Sequence, residues 1–176
     1  METIKFGFIG AGKVGFSLGK YLKENNINVI GYYSRKLHSS QEAAFFTDTK
    51  HFENLNELVN NSDVIFITTP DSQIEQVYNE LIQLNIKDKA ICHCSGSISS
   101  TIFSNIENYG AYAYSIHPML AISSKYNSYK DFQKAFITIE GNEKFKDYFI
   151  NLFQSLGNKV GVISSGNKVL YHAACV

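Results

Sequence analysis

Six residues near the start of the chain, Gly10-Ala11-Gly12-Lys13-Val14-Gly15, restrict the fold more than any other stretch. An apolar run at residues 4–9 leads into them, and a helical pattern leads out over residues 12–25. Glycines in a G-x-G-x-x-G spacing between a strand and a helix have distinct steric tasks. The first permits a tight turn, the second lets a ligand approach the backbone, and the third lets the helix pack closely on the strand. Unpaired N–H groups at the helix start, with the helix dipole behind them, then favour an anion. A glycine-rich turn that binds nothing is the competing reading, and the strand–turn–helix context weighs against it.

The remaining sequence keeps the same rhythm. Strand-length apolar runs fall at residues 29–33, 50–52, 64–68, 90–94, 111–116, 136–140 and 160–163, with amphipathic helical segments between most of them. This alternation predicts an α/β fold: a Rossmann-type, mostly parallel sheet of about eight strands with helices on both faces. Ser39 with Glu42, Asn54 with Glu57, and Ser72 with Glu75 have the spacing of helix caps. A helix over residues 143–156 is expected to end at Gly157. Residues 1–118 read as a dinucleotide-binding core and 119–165 as a strand–helix–strand extension of the sheet. Residues 166–176 read as the start of a C-terminal helix or helical domain. That last run stays apolar to its end, so it is expected to pack on a further domain, a partner or its own domain.

Composition excludes several function classes. The chain carries 16 basic and 16 acidic side chains, which argues against a nucleic-acid or anionic-membrane partner. No apolar run approaches a membrane span, and the N-terminus does not read as a signal peptide. Three cysteines, Cys92, Cys94 and Cys175, do not make a disulfide framework, so a cytoplasmic protein with reduced thiols is expected. Cys92-His93-Cys94 looks like a metal motif. On a strand, however, the cysteines share one face and His93 takes the other. With no second pair, no metal is expected.

The end of the second strand speaks to the cofactor. NAD enzymes usually place Asp or Glu there to bind the ribose 2′-hydroxyl. This chain has Tyr33-Ser34-Arg35-Lys36 instead, and a hydroxyl followed by two cations suits a 2′-phosphate. NADP(H) is therefore the expected cofactor. Its phosphates are expected at Gly10, Ala11, Gly12, Lys13, Val14 and Gly15, and its 2′-phosphate at Ser34, Arg35 and Lys36. Thr69, Pro70 and Asp71, after the fourth strand, are expected beside it, as are Ser95 and Gly96 after the fifth.

Further stretches carry a resemblance: Thr69-Pro70-Asp71, His93-Cys94-Ser95-Gly96, Ser115-Ile116-His117-Pro118, Ile139-Glu140-Gly141 and Lys168-Val169-Leu170-Tyr171-His172-Ala173-Ala174. With the glycine turn and Tyr33-Ser34-Arg35, they make the chain resemble a family of Rossmann-like NADP oxidoreductases with a C-terminal domain of unknown function. More distantly it is similar to pyrroline-5-carboxylate reductase, prephenate dehydrogenase and deazaflavin-dependent NADP oxidoreductases. The chain looks like the N-terminal portion of such a protein. The resemblance implies a following helical domain that supplies much of the substrate pocket and a homodimer interface.

Reducing a carbonyl or imine leaves charge on oxygen or nitrogen, which calls for a proton donor. His117 is the first candidate, because its His-Pro-Met run resembles a prephenate dehydrogenase motif whose histidine contacts substrate. Its structural alternative is a bond to a loop carbonyl. Lys168 is the second, by resemblance to β-hydroxyacid dehydrogenases in which a lysine early in the corresponding helix donates a proton. Its alternative is a solvated lysine. His172, four residues on, shares that helix face and would assist or merely pack. Two function classes follow: an NADP(H)-dependent oxidoreductase acting on a small carbonyl or imine substrate, or a non-catalytic NADP(H)-binding sensor or regulatory module.

Overall fold

A computed structural model describes residues 3–174; the side chains of Val169, His172 and Ala174 and all of Cys175 lie outside the description. The elements alternate as the sequence pattern requires. They are β1 (Phe6–Ile9), α1 (Lys13–Glu24), β2 (Val29–Tyr33), α2 (Leu37–Thr47), β3 (Lys50–Phe52), α3 (Leu55–Asn61), β4 (Val64–Ile67) and α4 (Ile74–Leu81). After these come β5 (Ala90–His93), β6 (Tyr112–Met119), β7 (Phe136–Gly141), α5 (Lys146–Ser155), β8 (Lys159–Val162) and α6 (Lys168–Ala174). The strands form one eight-stranded sheet in the order β3-β2-β1-β4-β5-β6-β7-β8. Its pairings are parallel except β6 with β7.

Strand alternation divides the interior into two layers. Phe6, Phe8, Phe66, Ala90, Cys92, Tyr114 and Ile116 face one way, toward α1, α2 and α5. Ile9, Ile65, Ile67 and Ile91 face the other, toward α3 and α4. The central strands β1 and β4 are buried at every position, as expected for parallel strands covered on both sides. Cys92 accordingly joins the first layer. His93 packs edge-on against Phe103 in the second, with ring centroids 5.4 Å apart.

The chain diverges at the carboxyl ends of β1 and β4. β1 leads out to β2 and β3 on one side, while β4 to β8 extend the other side. A crevice opens at such a point because the two connections leave in opposite directions. Gly10 turns through a positive φ of 97° just past β1. Gly15 lies so near β4 that a Cβ would stand 2.5 Å from Thr68 Oγ1 and 2.8 Å from the Gly10 carbonyl oxygen.

Several local expectations give way to tertiary structure. Asn54 does cap α3, accepting from the Asn56 amide. Ser39 does not cap α2, which starts at Leu37, two residues earlier. Its supposed partner Glu42 instead binds Lys125 and Tyr126, more than 80 residues away in sequence. Ser72 falls in a 3₁₀ turn, Asp71–Gln73, that delays α4 to Ile74. β6 runs past residue 116 because β7 pairs with it as far as Met119. β5 has ended by then, its last pair being His93 with Ser115, so Pro118 sits where the strand has an open side and its missing N–H is tolerated.

The glycine geometry makes a stability prediction. Gly15→Ala forces a methyl against the Gly10 carbonyl and should cost roughly 1–3 kcal/mol. Gly12→Ala should cost far less, since a Cβ there meets only the Thr68 carbonyl oxygen, at 3.9 Å. Urea unfolding of both variants tests the contrast; equal losses would contradict this packing.

Candidate functional site

A cavity of about 480 Å³ occupies the crevice at the β1/β4 divergence. Its floor is the glycine turn, Gly10, Ala11 and Gly12, below which α1 begins. The N–H groups of the first helical turn have no intrahelical partner, and the capping residue, Gly12, offers them no side-chain bond. One wall is the end of β2, with Ser34, Arg35 and Lys36; the other is Thr68, Thr69, Pro70 and Gln73. The Arg35 guanidinium donates to Gln73 Oε1, so the two walls meet through a side-chain bond.

Of the residues expected at a cofactor, Gly10, Ala11, Gly12, Ser34, Arg35, Lys36, Thr69 and Pro70 line this cavity. Lys13, Val14 and Gly15 do not; they form the first turn of α1, with Gly15 buried against Thr68. Asp71, Ser95 and Gly96 also lie off the cavity wall; Asp71 and Ser95 belong to a polar row that continues from it. Ser95 Oγ donates to the Asp71 carboxylate at 2.7 Å. Ser115 Oγ donates to the Ser95 carbonyl at 3.3 Å. Lys168 Nζ donates to Ser115 Oγ at 2.7 Å. Lys168 is only 1% exposed, so it is not the solvated lysine that its helical position allowed.

His117 stands two residues beyond Ser115, on the same face of β6. Its Nδ1 and the Tyr171 hydroxyl are 2.9 Å apart, and the two rings meet edge to face. The partner is thus a side chain of α6 rather than a loop carbonyl. Lys168 and Tyr171, one helical turn apart on α6, match Ser115 and His117 on β6. The His172 side chain falls outside the described residues. Sequence reasoning missed Tyr171, Ser115, Gln73 and Lys125. The first was open to detection as the i+3 neighbour of Lys168; the last three act across long sequence separations and leave no local signal.

The loop after β5 is held from both ends. Glu140 of β7, 3% exposed, accepts the Ser100 amide at 2.7 Å and the Ser100 hydroxyl at 2.6 Å. His93 Nδ1 accepts the Ser95 amide at 3.2 Å, leaving its Nε2–H to the Ser99 carbonyl at 3.3 Å. These partners require a neutral ring. Burial pushes the His93 pKa down from 6.5 to about 4, opposed by the Ser99 carbonyl. Burial pushes both thiols up, Cys94 to about 12, and a protonated thiol is a poor metal ligand. Among the described residues, no group of three or more His, Cys, Asp or Glu side chains is arranged to hold a metal. Nor is any described helix long and apolar enough to cross a membrane.

The sequence matches the Rossmann-like domain family over residues 1–118. The chain belongs to that family. The crossover cavity lies where a Rossmann-like domain takes its ligand. The fold is similar to a candidate NADP oxidoreductase of Bacteroides fragilis, with a TM-score of 0.84 and 20% identity, covering 99% of this chain and 66% of that one. A pyrroline-5-carboxylate reductase of Coxiella burnetii gives 0.74 at 16% identity, covering 96% and 62%. The prephenate dehydrogenase of A. aeolicus gives 0.74 at 13% identity, covering 96% and 62%. At such identities the likeness concerns the fold, and this Rossmann-like chain spans less than two thirds of those lengths. No curated protein matches the sequence.

The buried imidazole predicts a pH dependence. The unfolded ring titrates near 6.5 and the folded one near 4, so between those values the unfolded state binds the extra proton. The stability His93 contributes is complete above about pH 6.5 and falls as the pH drops toward 4, by on the order of 3 kcal/mol. Urea unfolding at pH 7.5 and 5 should show this slope, and His93→Asn should flatten it. An unchanged slope in the variant would rule out His93 as its source.

Proposed function

We propose that this chain is the cofactor-binding part of an NADP(H)-dependent oxidoreductase that acts on a small carbonyl or imine compound. One observation carries the reading. A single cavity joins the glycine turn to Ser34, Arg35 and Lys36, with two cations and no carboxylate at the end of β2. The candidate NADP oxidoreductase of Bacteroides fragilis, similar over nearly the whole chain, supports it.

The residues present fit a dinucleotide. A Cβ at Gly12 would meet only the Thr68 carbonyl oxygen, at 3.9 Å, so the backbone of the turn is otherwise bare to a ligand. Thr69 lines the cavity, and its buried hydroxyl has no hydrogen-bond partner among the described residues. The Gly10 to Gly12 turn and the first N–H groups of α1 would hold the pyrophosphate. Ser34, Arg35 and Lys36 would hold the 2′-phosphate. The cofactor, when bound, supplies the hydride donor or acceptor. The chain's own contribution to chemistry is a proton at the ends of β6 and α6. Lys168 Nζ, fixed by Ser115, and the His117–Tyr171 pair are its candidate sources.

Wild-type protein should bind NADPH more tightly than NADH. A hydrogen bond to a charged group is worth about 1.5–3 kcal/mol, so Arg35→Ala should weaken NADPH roughly 10- to 150-fold and leave NADH nearly unchanged. Calorimetric titration at fixed ionic strength measures this. An unchanged NADPH-to-NADH ratio would reject the assignment. In NADPH oxidation assays against small ketones and cyclic imines, Lys168→Met and His117→Ala should each cut turnover about 10²-fold while cofactor affinity persists. Whichever variant keeps full turnover is thereby removed from proton transfer.

A further inference from the structure

The cavity has a third cation that does not belong to its crossover elements. Lys125 lies in the loop after β6, beyond the 118 residues that match the family. Yet it lines the same cavity as the glycine turn, Arg35 and Lys36. Its delivery is specific. The ammonium donates to Glu42 Oε2 at 2.9 Å and stands 4.8 Å above the Phe16 ring centroid. The next residue, Tyr126, donates to the other oxygen of Glu42 and packs edge-on against Phe16 and Phe46. Behind it, Tyr129 meets Phe46 in the same fashion. The loop is thus strapped across the groove between α1 and α2.

Charge then becomes informative. Arg35, Lys36 and Lys125 line the cavity against one lining carboxylate, Glu80. A phosphate monoester carries roughly −1.5 to −2 at neutral pH and takes several charge-assisted bonds. The pyrophosphate already has the helix start for its donors. Lys125 lies elsewhere, on the α2 side. Its partner Glu42 is one helical turn from Ser39, which lines the cavity too, and α2 starts directly after Lys36 with no side chain capping it.

We propose that Lys125 is a direct ligand of the cofactor's 2′-phosphate and a determinant of NADP(H) preference, with Glu42 as the carboxylate that holds its ammonium when no cofactor is bound. The inference rests on the cavity being a dinucleotide site. It makes the strap from beyond residue 118 part of cofactor selection, and it gives Glu42 and Lys125 opposite effects. Removing the cation loses a phosphate contact. Removing the carboxylate frees the cation and takes a negative charge away from the phosphate.

The test is calorimetric titration of NADPH and NADH at one ionic strength, using wild type, Lys125→Met, Lys125→Arg and Glu42→Gln, each checked for an intact thermal transition. Met keeps an apolar stem over Phe16, and Arg keeps the charge. Lys125→Met should weaken NADPH roughly 10-fold or more and NADH less than about 3-fold. Lys125→Arg should retain the preference, and Glu42→Gln should leave NADPH binding as tight or tighter. An unchanged NADPH affinity in Lys125→Met, or equal losses for both cofactors, would overturn the proposal. Parallel losses in Lys125→Met and Glu42→Gln would also overturn it, because a pair that merely braces the loop behaves so. Wild type that binds neither dinucleotide would overturn this proposal together with the reading of the cavity.

Discussion

Thr68 holds the cavity wall together. Its amide donates to the Ile9 carbonyl at 2.8 Å, its hydroxyl to the Gly10 carbonyl at 2.9 Å, and Gly15 rests on it with no space for a methyl. One residue at the end of β4 therefore fixes the end of β1, the turn that follows and the first turn of α1. The crossover crevice exists because parallel strands diverge there. The N–H groups of α1 sit at its floor because Thr68 and Gly15 are in contact. A bulkier residue at position 15 would tilt the helix away and take those donors with it.

From this wall the site extends along the strand ends as a row of hydrogen bonds. Pro70 lines the cavity, Asp71 follows it and accepts from Ser95, Ser115 donates back to the Ser95 carbonyl, and Lys168 closes the row. Cavity wall and candidate proton donors are thus positioned by one network rather than separately. The network has a firm outer anchor in Glu140. Because β7 runs antiparallel to β6, it pairs Glu140 with Ser115 and Thr138 with His117 on the same face. The buried Glu140 carboxylate then organises the loop that carries Ser95. Such charge-assisted bonds to backbone N–H groups are among the stronger polar contacts available.

The fold was legible because its signals are local and periodic. Buried parallel strands read as apolar runs, and the glycine turn is a short-range steric code. The walls of the crossover cavity were legible for the same reason: Gly10 to Gly12, Ser34 to Lys36, and Thr69-Pro70 each follow a strand end, and strand ends can be located from sequence. What stayed hidden depends on contacts across the chain. Glu42 has the spacing of a cap, yet Lys125 and Tyr126 claim it from more than 80 residues away. Ser39 looks like a cap and lines the cavity instead. Ser115 is an ordinary strand serine until Lys168 is folded onto it. β6 outruns its apolar run because antiparallel pairing with β7 supports His117 and Pro118.

The central claim is that a dinucleotide sits at the β1/β4 crossover with its phosphates on the glycine turn. A ¹H–¹⁵N correlation spectrum of the labelled protein, titrated with NADP⁺, tests it residue by residue without any substitution. The account predicts saturable shifts concentrated at Gly10 to Gly15, Ser34 to Lys36 and Thr69, with the edge strands β7 and β8 nearly silent. Saturation without shifts in the glycine turn, or no saturable change at millimolar ligand, would contradict it.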